Sequence, residues 1–239
     1  YCIRPLVGIF LIFFNVLFVS YPAYCIDAKN EILDVENESV KLCTKFASQL
    51  EVSYDDLKDK LISTSEDKEY RLVPLSDTEK HKTFFKKIFS HCDEEYMKFY
   101  GRGKCLSEQE AENDFQGRLE RMWLSKFPNN MTFIIELDKE CVGLIGIGPL
   151  KIKGFDPEIS YIIDKDYCGK GIGYKSVKMA VDFLKYLREK HIYDFECLNA
   201  TVHPSNVGSY KILEKIGFIC KNDIKTFSYG KRKIYTYYF

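Results

Sequence analysis

The sequence predicts a mixed α/β domain. Its mostly antiparallel central sheet has about seven strands with four helices, and a hydrophobic segment and a short helical linker precede it. Three observations predict this. The runs at 131–137 and 142–147 are short and apolar, and the turn-like Asp138-Lys-Glu-Cys141 joins them, which reads as a hairpin. Longer runs repeat their apolar residues at spacings of three and four, as helices do. The resulting order is strand, two helices, three strands, helix, strand, helix, two strands, which is not a series of regular βαβ units.

The elements follow in chain order. Pro5 to Ile26 is a run of 22 uncharged residues that includes Leu6-Val-Gly-Ile-Phe-Leu-Ile-Phe-Phe14. It reads either as a bilayer span, which takes ~20 residues, or as a signal peptide with Ala23-Tyr-Cys25 as a cleavage site. The chain opens on Tyr1, not Met, and is expected to be part of a longer one. Residues 27–68 read as an acidic, partly helical linker. Val40, Cys43, Phe46, Ala47 and Leu50 suit an amphipathic helix, and Ser53 suits the cap of a second one through Leu57 and Leu61. Ser63 to Lys68 reads as a loop, so the domain is expected to run from 69 to 239.

Tyr70 to Leu75 reads as a first strand, with Pro74 marking an edge or an end. Ser76 or Asp77 is expected to cap a helix through Phe84, Phe85, Ile88 and Phe89. Ser107 with Glu110 makes a capping-box pattern for a helix to about residue 126, with Phe115, Leu119, Met122 and Trp123 on its apolar stripe. Trp123 reads as core packing. Pro157 to Ile163 is a strand, and a helix runs from about Gly171 to Lys190 on Val177, Ala180, Val181, Leu184 and Leu187. Leu198, Ala200 and Val202 alternate with polar residues in a strand over 196–203. Asn206 or Ser205 caps a helix lined by Val207, Tyr210 and Leu213 and ended by Gly217. Phe218–Cys220 and Ile234–Phe239 close as a hairpin with Lys231-Arg-Lys233 at a solvated tip.

Composition narrows the function. Hydrophobic residues make up 46% and aromatics 15%, which indicates a folded domain. Lys+Arg and Asp+Glu are 35 each, so nothing points to a nucleic-acid partner. Charge is uneven, because residues 27–69 hold twelve acidic and six basic residues. Nine scattered cysteines with no C-x-x-C pair, and four histidines with no H-E-x-x-H, give no support for a metal. The cysteines read as small core hydrophobes of a reduced protein, and their odd count argues against a complete disulfide framework.

The stretch Asp166-Tyr-Cys-Gly-Lys-Gly-Ile-Gly173 leaves a strand and opens a helix. Helix N-termini present unpaired N–H groups and a partial positive charge, and glycines let an anion approach the backbone. The stretch therefore reads as a phosphate cradle. Asn206-Val-Gly-Ser-Tyr-Lys-Ile-Leu-Glu-Lys-Ile-Gly-Phe218 follows 33 residues later and strengthens that reading.

With these motifs the chain resembles the GNAT superfamily of acyl-CoA N-acetyltransferases, most closely its ribosomal-protein branch. The likeness covers about residues 69 to 239. It rests on Arg71-Leu-Val-Pro-Leu75-Ser-Asp77, the Trp123 segment, Val142-Gly-Leu-Ile-Gly146, Glu158-Ile-Ser-Tyr161, Gly169 to Gly173, Val202-His-Pro-Ser-Asn206 and Glu214-Lys-Ile-Gly-Phe218. The resemblance implies acetyl transfer from acetyl-CoA to a primary amine by direct attack in a ternary complex. It implies pyrophosphate binding by Gly169, Lys170, Gly171, Ile172 and Gly173, with the pantetheine arm along Tyr161, Ile162 and Ile163 and a cofactor contact at Asn206. Ser209 takes the position that protonates the thiolate, with Tyr210 as the neighbouring alternative. Glu158 takes the position of the base that the ammonium requires, and His203 is next in line. Cys168 and Lys175 depart from the branch's pattern. Lys175 adds an attraction to phosphate, and Cys168 adjoins a helix end that could lower its pKa, although packing is the expected role.

The alternative reading is a non-catalytic, CoA-binding or protein-interaction module held at a membrane by residues 5–26. A homodimer remains open. Arg4 before the apolar run and the acidic residues after it place the domain outside a membrane. Anchoring or export by residues 1–26 is therefore expected, or a cytoplasmic location if that segment is not part of the native protein.

Overall fold

The computed structural model describes residues 35–65, 67–100, 103–124, 128–150, 156–227 and 230–239. The apolar segment at 5–26 lies outside them. Among the described residues no helix is long and apolar enough to cross a membrane.

The chain begins with α1 (Val35–Gln49), α2 (Tyr54–Leu61), β1 (Ile62–Ser65) and β2 (Lys68–Pro74). Then come α3 (Glu79–Phe89), α4 (Glu94–Met97), α5 (Glu108–Trp123), β3 (Met131–Leu137), β4 (Glu140–Gly148) and β5 (Glu158–Ile163). A 3-10 turn (Lys165–Tyr167) leads into α6 (Ile172–Glu189), β6 (Cys197–Val202), α7 (Val207–Ile216), β7 (Ile219–Phe227) and β8 (Gly230–Tyr238). One sheet runs β1-β2-β3-β4-β5-β6-β8-β7. Every neighbouring pair is antiparallel except β5–β6. This is the mixed, mostly antiparallel sheet the sequence predicts.

Local chemistry sets the element ends. Ser53 accepts the Asp55 N–H at the start of α2, and Asn206 accepts the Ser209 N–H at the start of α7. Ser107 and Glu110 form a complete capping box on α5. Gly217 ends α7 at φ +113°, where a side chain would be strained. Thr78, not Ser76 or Asp77, caps α3, because its hydroxyl accepts the His81 N–H.

Two helical layers cover the sheet. A Cβ on Gly173 of α6 would touch Ile163 at 3.5 Å, so α6 lies on the face that carries Ile163 and, by alternation, Tyr161. Phe46 of α1 packs edge-on against Phe133 at 5.5 Å and lies 6.2 Å from Phe183 of α6. A Cβ on Gly146 would lie 3.5 Å from Nη1 of Arg118, so α5 covers the opposite face, which carries Ser160 and Glu158.

The linker expected over 27–68 is, in its described part, integral to the domain. Cys43, Phe46, Ala47, Leu50, Leu57 and Leu61 are all buried in the main core. The boundary at 68/69 cuts through one core because the acidic residues are the solvent face of helices whose other face is apolar. Residues 63–65, expected in a loop, belong to β1, which pairs in register with β2. The hairpin of β7 and β8 is longer than expected, so Lys231-Arg-Lys233 lies within a strand, not at its tip, and Arg232 is buried. Cys92 and Cys105 are joined by a disulfide, against the fully reduced reading.

Candidate functional site

Strands β5 and β6 run parallel and pair at a single position, Glu158 with Asn199. The Asn199 N–H also donates to the Pro157 carbonyl at 2.8 Å. On its other side β5 stays paired with β4 along its whole length, from Glu158–Gly148 to Ile163–Gly143. Past Glu158, therefore, the β6-facing edge of β5 has no ladder partner among the described residues, and a cleft of about 810 Å³ opens there. That volume lies within the range of small-molecule sites.

The cleft's base is β5 from Glu158 to Ile163, and its far wall is Ala200, Thr201, Val202 and His203. Its end is the glycine turn. Asp164, buried, accepts the Asp166 N–H and a 2.5 Å bond from Lys87 of α3, which fixes the chain as it leaves β5. Gly169 and Gly171 both adopt φ +77°, and a Cβ on either would meet nothing within 4 Å. Gly171 is the N-cap of α6 and offers no side chain to the first-turn N–H groups. The end of the cleft is thus an open, positively polarised backbone surface, which fits a phosphate. Gly173 differs, since a Cβ there would sit 3.0 Å from Ile212. Its smallness serves the packing of α6 on α7.

The candidate catalytic groups separate by face. Glu158 is half-buried and accepts a 2.6 Å hydrogen bond from the Thr201 hydroxyl. The Tyr161 hydroxyl lies 2.8 Å from Oγ of Ser209 and donates to the Ser209 carbonyl at 3.1 Å. Burial pushes the Tyr161 phenol up to about 12, opposed by the Ser209 hydrogen bond. Asn206 lines the cleft while capping α7.

Not every expected residue reaches the cleft. Ile162 lines it but is buried. Lys170 lies outside the lining set, and its ammonium donates to the Asp166 carbonyl at 2.8 Å. Tyr210 also lies outside it, because α7 turns Gly208, Ser209 and Ile212 to the cleft. For the same reason α7 buries Leu213 while Val207 is exposed, against the expected stripe. Lys175 does not line the cleft, and its ammonium lies 5.7 Å from the Tyr70 ring. Cys168 is exposed at the cleft rather than packed, and burial of its thiol raises its pKa rather than lowering it.

Several lining residues were not expected. Tyr96, Phe99 and Tyr100 come from the connector between α3 and α5, Arg118 from α5 and Arg232 from β8. Phe99 lies 5.1 Å from the His203 ring, whose Nδ1 accepts the Ser205 N–H. Burial opposes the charge of Arg118, but Tyr100 and Asp114 outweigh it and hold its pKa above the ordinary value. Each of these residues lies at least 40 positions from Glu158 and from the glycine turn, so no local motif signals them.

A separate cluster brings His81, Glu136 and Cys141 within 4.8 Å of one another. The His81 Nδ1 accepts the Ser76 N–H at 3.1 Å, which leaves the ring proton on Nε2. Glu136 accepts from Lys80 at 2.5 Å and from Ser39 at 3.1 Å. The cluster thus reads as a hydrogen-bonded set around a neutral imidazole.

The family model for the acetyltransferase (GNAT) domain matches residues 70–219, more than half of the chain. The chain belongs to the GNAT acetyltransferase family. A stretch of 60 residues is 38% identical to the Probable N-acetyltransferase YjcK of Bacillus subtilis (strain 168). That match covers 25% of this GNAT chain and 30% of the relative. Mycobacterium smegmatis RimJ, solved in complex with CoA-disulfide, has a similar fold (TM-score 0.56, 18% identity, 72% of this chain and 81% of that one). So does RimL, a ribosomal L7/L12 α-N-protein acetyltransferase solved with coenzyme A (TM-score 0.56, 14% identity, 74% of this chain and 97% of that one). The described GNAT domain adds α1 and α2 ahead of the family-matched residues.

Proposed function

We propose that this GNAT protein transfers an acetyl group from acetyl-CoA to a primary amine by direct attack in a ternary complex. The observation that carries this is the parting of β5 from β6 beside the uncapped start of α6. It joins an open strand edge, a phosphate-compatible turn and a carboxylate in one cleft. Backbone N–H groups from Gly169 to Gly173 hold the pyrophosphate, and the free edge of Tyr161 to Ile163 takes the pantetheine amides. Acetyl-CoA supplies an activated thioester, and a β5 N–H stabilises the negative charge that develops on its oxygen.

The acceptor approaches from the α5 face, where Glu158 sits. An ammonium cannot attack a carbonyl, so Glu158 takes its proton directly or through one water, with Thr201 orienting the carboxylate. The new C–N bond forms as the C–S bond breaks. The departing thiolate receives its proton from Ser209, whose hydroxyl Tyr161 backs at 2.8 Å, and the second proton shed by the attacking nitrogen restores the hydroxyl. Protein N-termini fit the family likeness as acceptors, and small amines fit the same chemistry.

The test uses calorimetry and release of free thiol. Acetyl-CoA is expected to bind and to raise the melting temperature, and an amine panel is expected to release CoA thiol. Gly171→Val is expected to abolish cofactor binding, since its side chain would stand in the open approach to the turn. At φ +77° it also adds strain of roughly 1–2 kcal/mol. Normal acetyl-CoA binding by Gly171→Val would overturn the placement of the cradle. No binding by the folded parent protein would overturn the whole reading.

A further inference from the structure

A second cleft of about 300 Å³ opens on the α5 face. It is lined by Arg118, Arg121, Asn130, Thr132, Gly146 and Ser160, and it reaches Glu158. It shares Arg118, Glu158 and Ser160 with the main cleft, so the two meet at the candidate base. Gly146 keeps the junction open, because a Cβ there would lie 2.9 Å from Oγ of Ser160.

Two guanidinium groups and one carboxylate, Glu158, line this smaller cleft. Arg118 is rigidly placed. Its Nε bonds Asp114 at 3.0 Å, and its Cζ lies 5.6 Å from the Phe85 ring and 5.8 Å from the Phe89 ring. The Asp114 bond uses the Nε side of the fork, and Nη1 points toward Gly146. Arg121 lies one helical turn further along α5 and makes no ion pair with a described residue. A guanidinium in a narrow cleft favours a carboxylate, which it binds with two parallel N–H donors.

We infer that the acceptor is a primary amine that carries a carboxylate on the next residue, held by Arg121 and Arg118 while the amine faces Glu158. This rests on the acetyl-transfer reading above. An acidic protein N-terminus and a free acidic dipeptide share this chemistry.

The test uses the full chain and peptides that differ only at the second residue: Glu, Gln or Lys. A free dipeptide with Glu forms a further arm. The readouts are kcat/KM for acetyl transfer, peptide binding to the CoA-loaded protein by calorimetry, and acetyl-CoA binding alone. The Glu peptide is expected to exceed the Gln peptide by roughly tenfold to a hundredfold, mostly in KM, the range for a hydrogen bond to a charged group. Arg121→Gln, an exposed position, should bring the ratio near one without changing acetyl-CoA affinity. Arg121→Glu should turn the preference toward the Lys peptide. Preference for the dipeptide over the longer peptide would assign the small-molecule source, and the reverse would assign the protein N-terminus. Equal use or equal binding of the Glu, Gln and Lys peptides would overturn the inference while leaving acetyl transfer intact. Failure to bind acetyl-CoA would instead remove the reading on which it rests.

Discussion

At the scale of single residues, Glu158 and Ser209 should respond differently to pH. Glu158→Gln keeps the shape and the Thr201 contact but cannot take a proton. Its rate is expected to fall by roughly 10²–10⁴-fold with little change in acetyl-CoA affinity, and the loss should shrink at high pH as the amine deprotonates itself. Ser209→Ala affects thiolate departure, so its loss should persist at high pH. A pH–rate profile unchanged in Glu158→Gln would move the base elsewhere, with His203 next. His81 gives a stability prediction. Burial, followed by the charge of Lys80, lowers its pKa from 6.5 to about 4. Between these values the unfolded chain binds the proton and the folded chain does not. Stability is therefore complete above pH 6.5 and declines by about 3 kcal/mol as pH falls to 4. Urea titrations at pH 7 and pH 4.5 should show this loss, and His81→Gln should show a smaller one. The place of Glu158, Asn206, Ser209, Gly169, Gly171 and Gly173 beside one another was legible in the sequence because each sits in a local motif. Arg118, Arg232 and Phe99 were not, because only the tertiary fold brings them to the cleft.

At the scale of elements, the connector from α3 to α5 matters most. It carries Tyr96, Phe99 and Tyr100 to the cleft and is closed by the Cys92–Cys105 bond across a separation of 13 residues. A disulfide closing a loop of about this size contributes roughly 3 kcal/mol by restricting the unfolded chain. Replacing both cysteines by serine should lower the melting temperature by roughly 6–12 °C for a domain of this size. It should also raise KM for acetyl-CoA as the aromatic wall loosens. An unchanged KM would show that the wall holds its position without the bond. Scattered cysteines do not reveal such a pairing, because it depends on how a loop folds back. Helix starts were more legible, since Ser53, Ser107 and Asn206 cap through atoms within three residues. The α3 cap was placed one or two residues early, because Ser76, Asp77 and Thr78 are all competent acceptors and only the backbone path selects Thr78.

At the scale of the whole molecule, the sheet order was legible in outline and the domain boundary was not. Net acidity over 27–69 looks like a linker, yet Phe46, Leu50, Leu57 and Leu61 are fully buried or nearly so. At about 1.5–3 kcal/mol each, these four side chains supply roughly 6–12 kcal/mol, comparable to the whole stability of ~5–15 kcal/mol typical of a domain. A fragment starting at residue 69 is therefore expected to be insoluble or to lack a cooperative thermal transition, whereas one starting at residue 34 should melt cooperatively by calorimetry. A cooperative 69–239 fragment would show that α1 and α2 are dispensable. The single rung between β5 and β6 has one more consequence. It divides the sheet into two leaves, β1 to β5 and β6 to β8, which share few backbone bonds. Side chains then tie the leaves across the gap, Thr201 to Glu158 and Tyr161 to Ser209. The carboxylate therefore sits where the two halves are stitched by backbone and side chain together, while the rest of the seam is held by side chains alone.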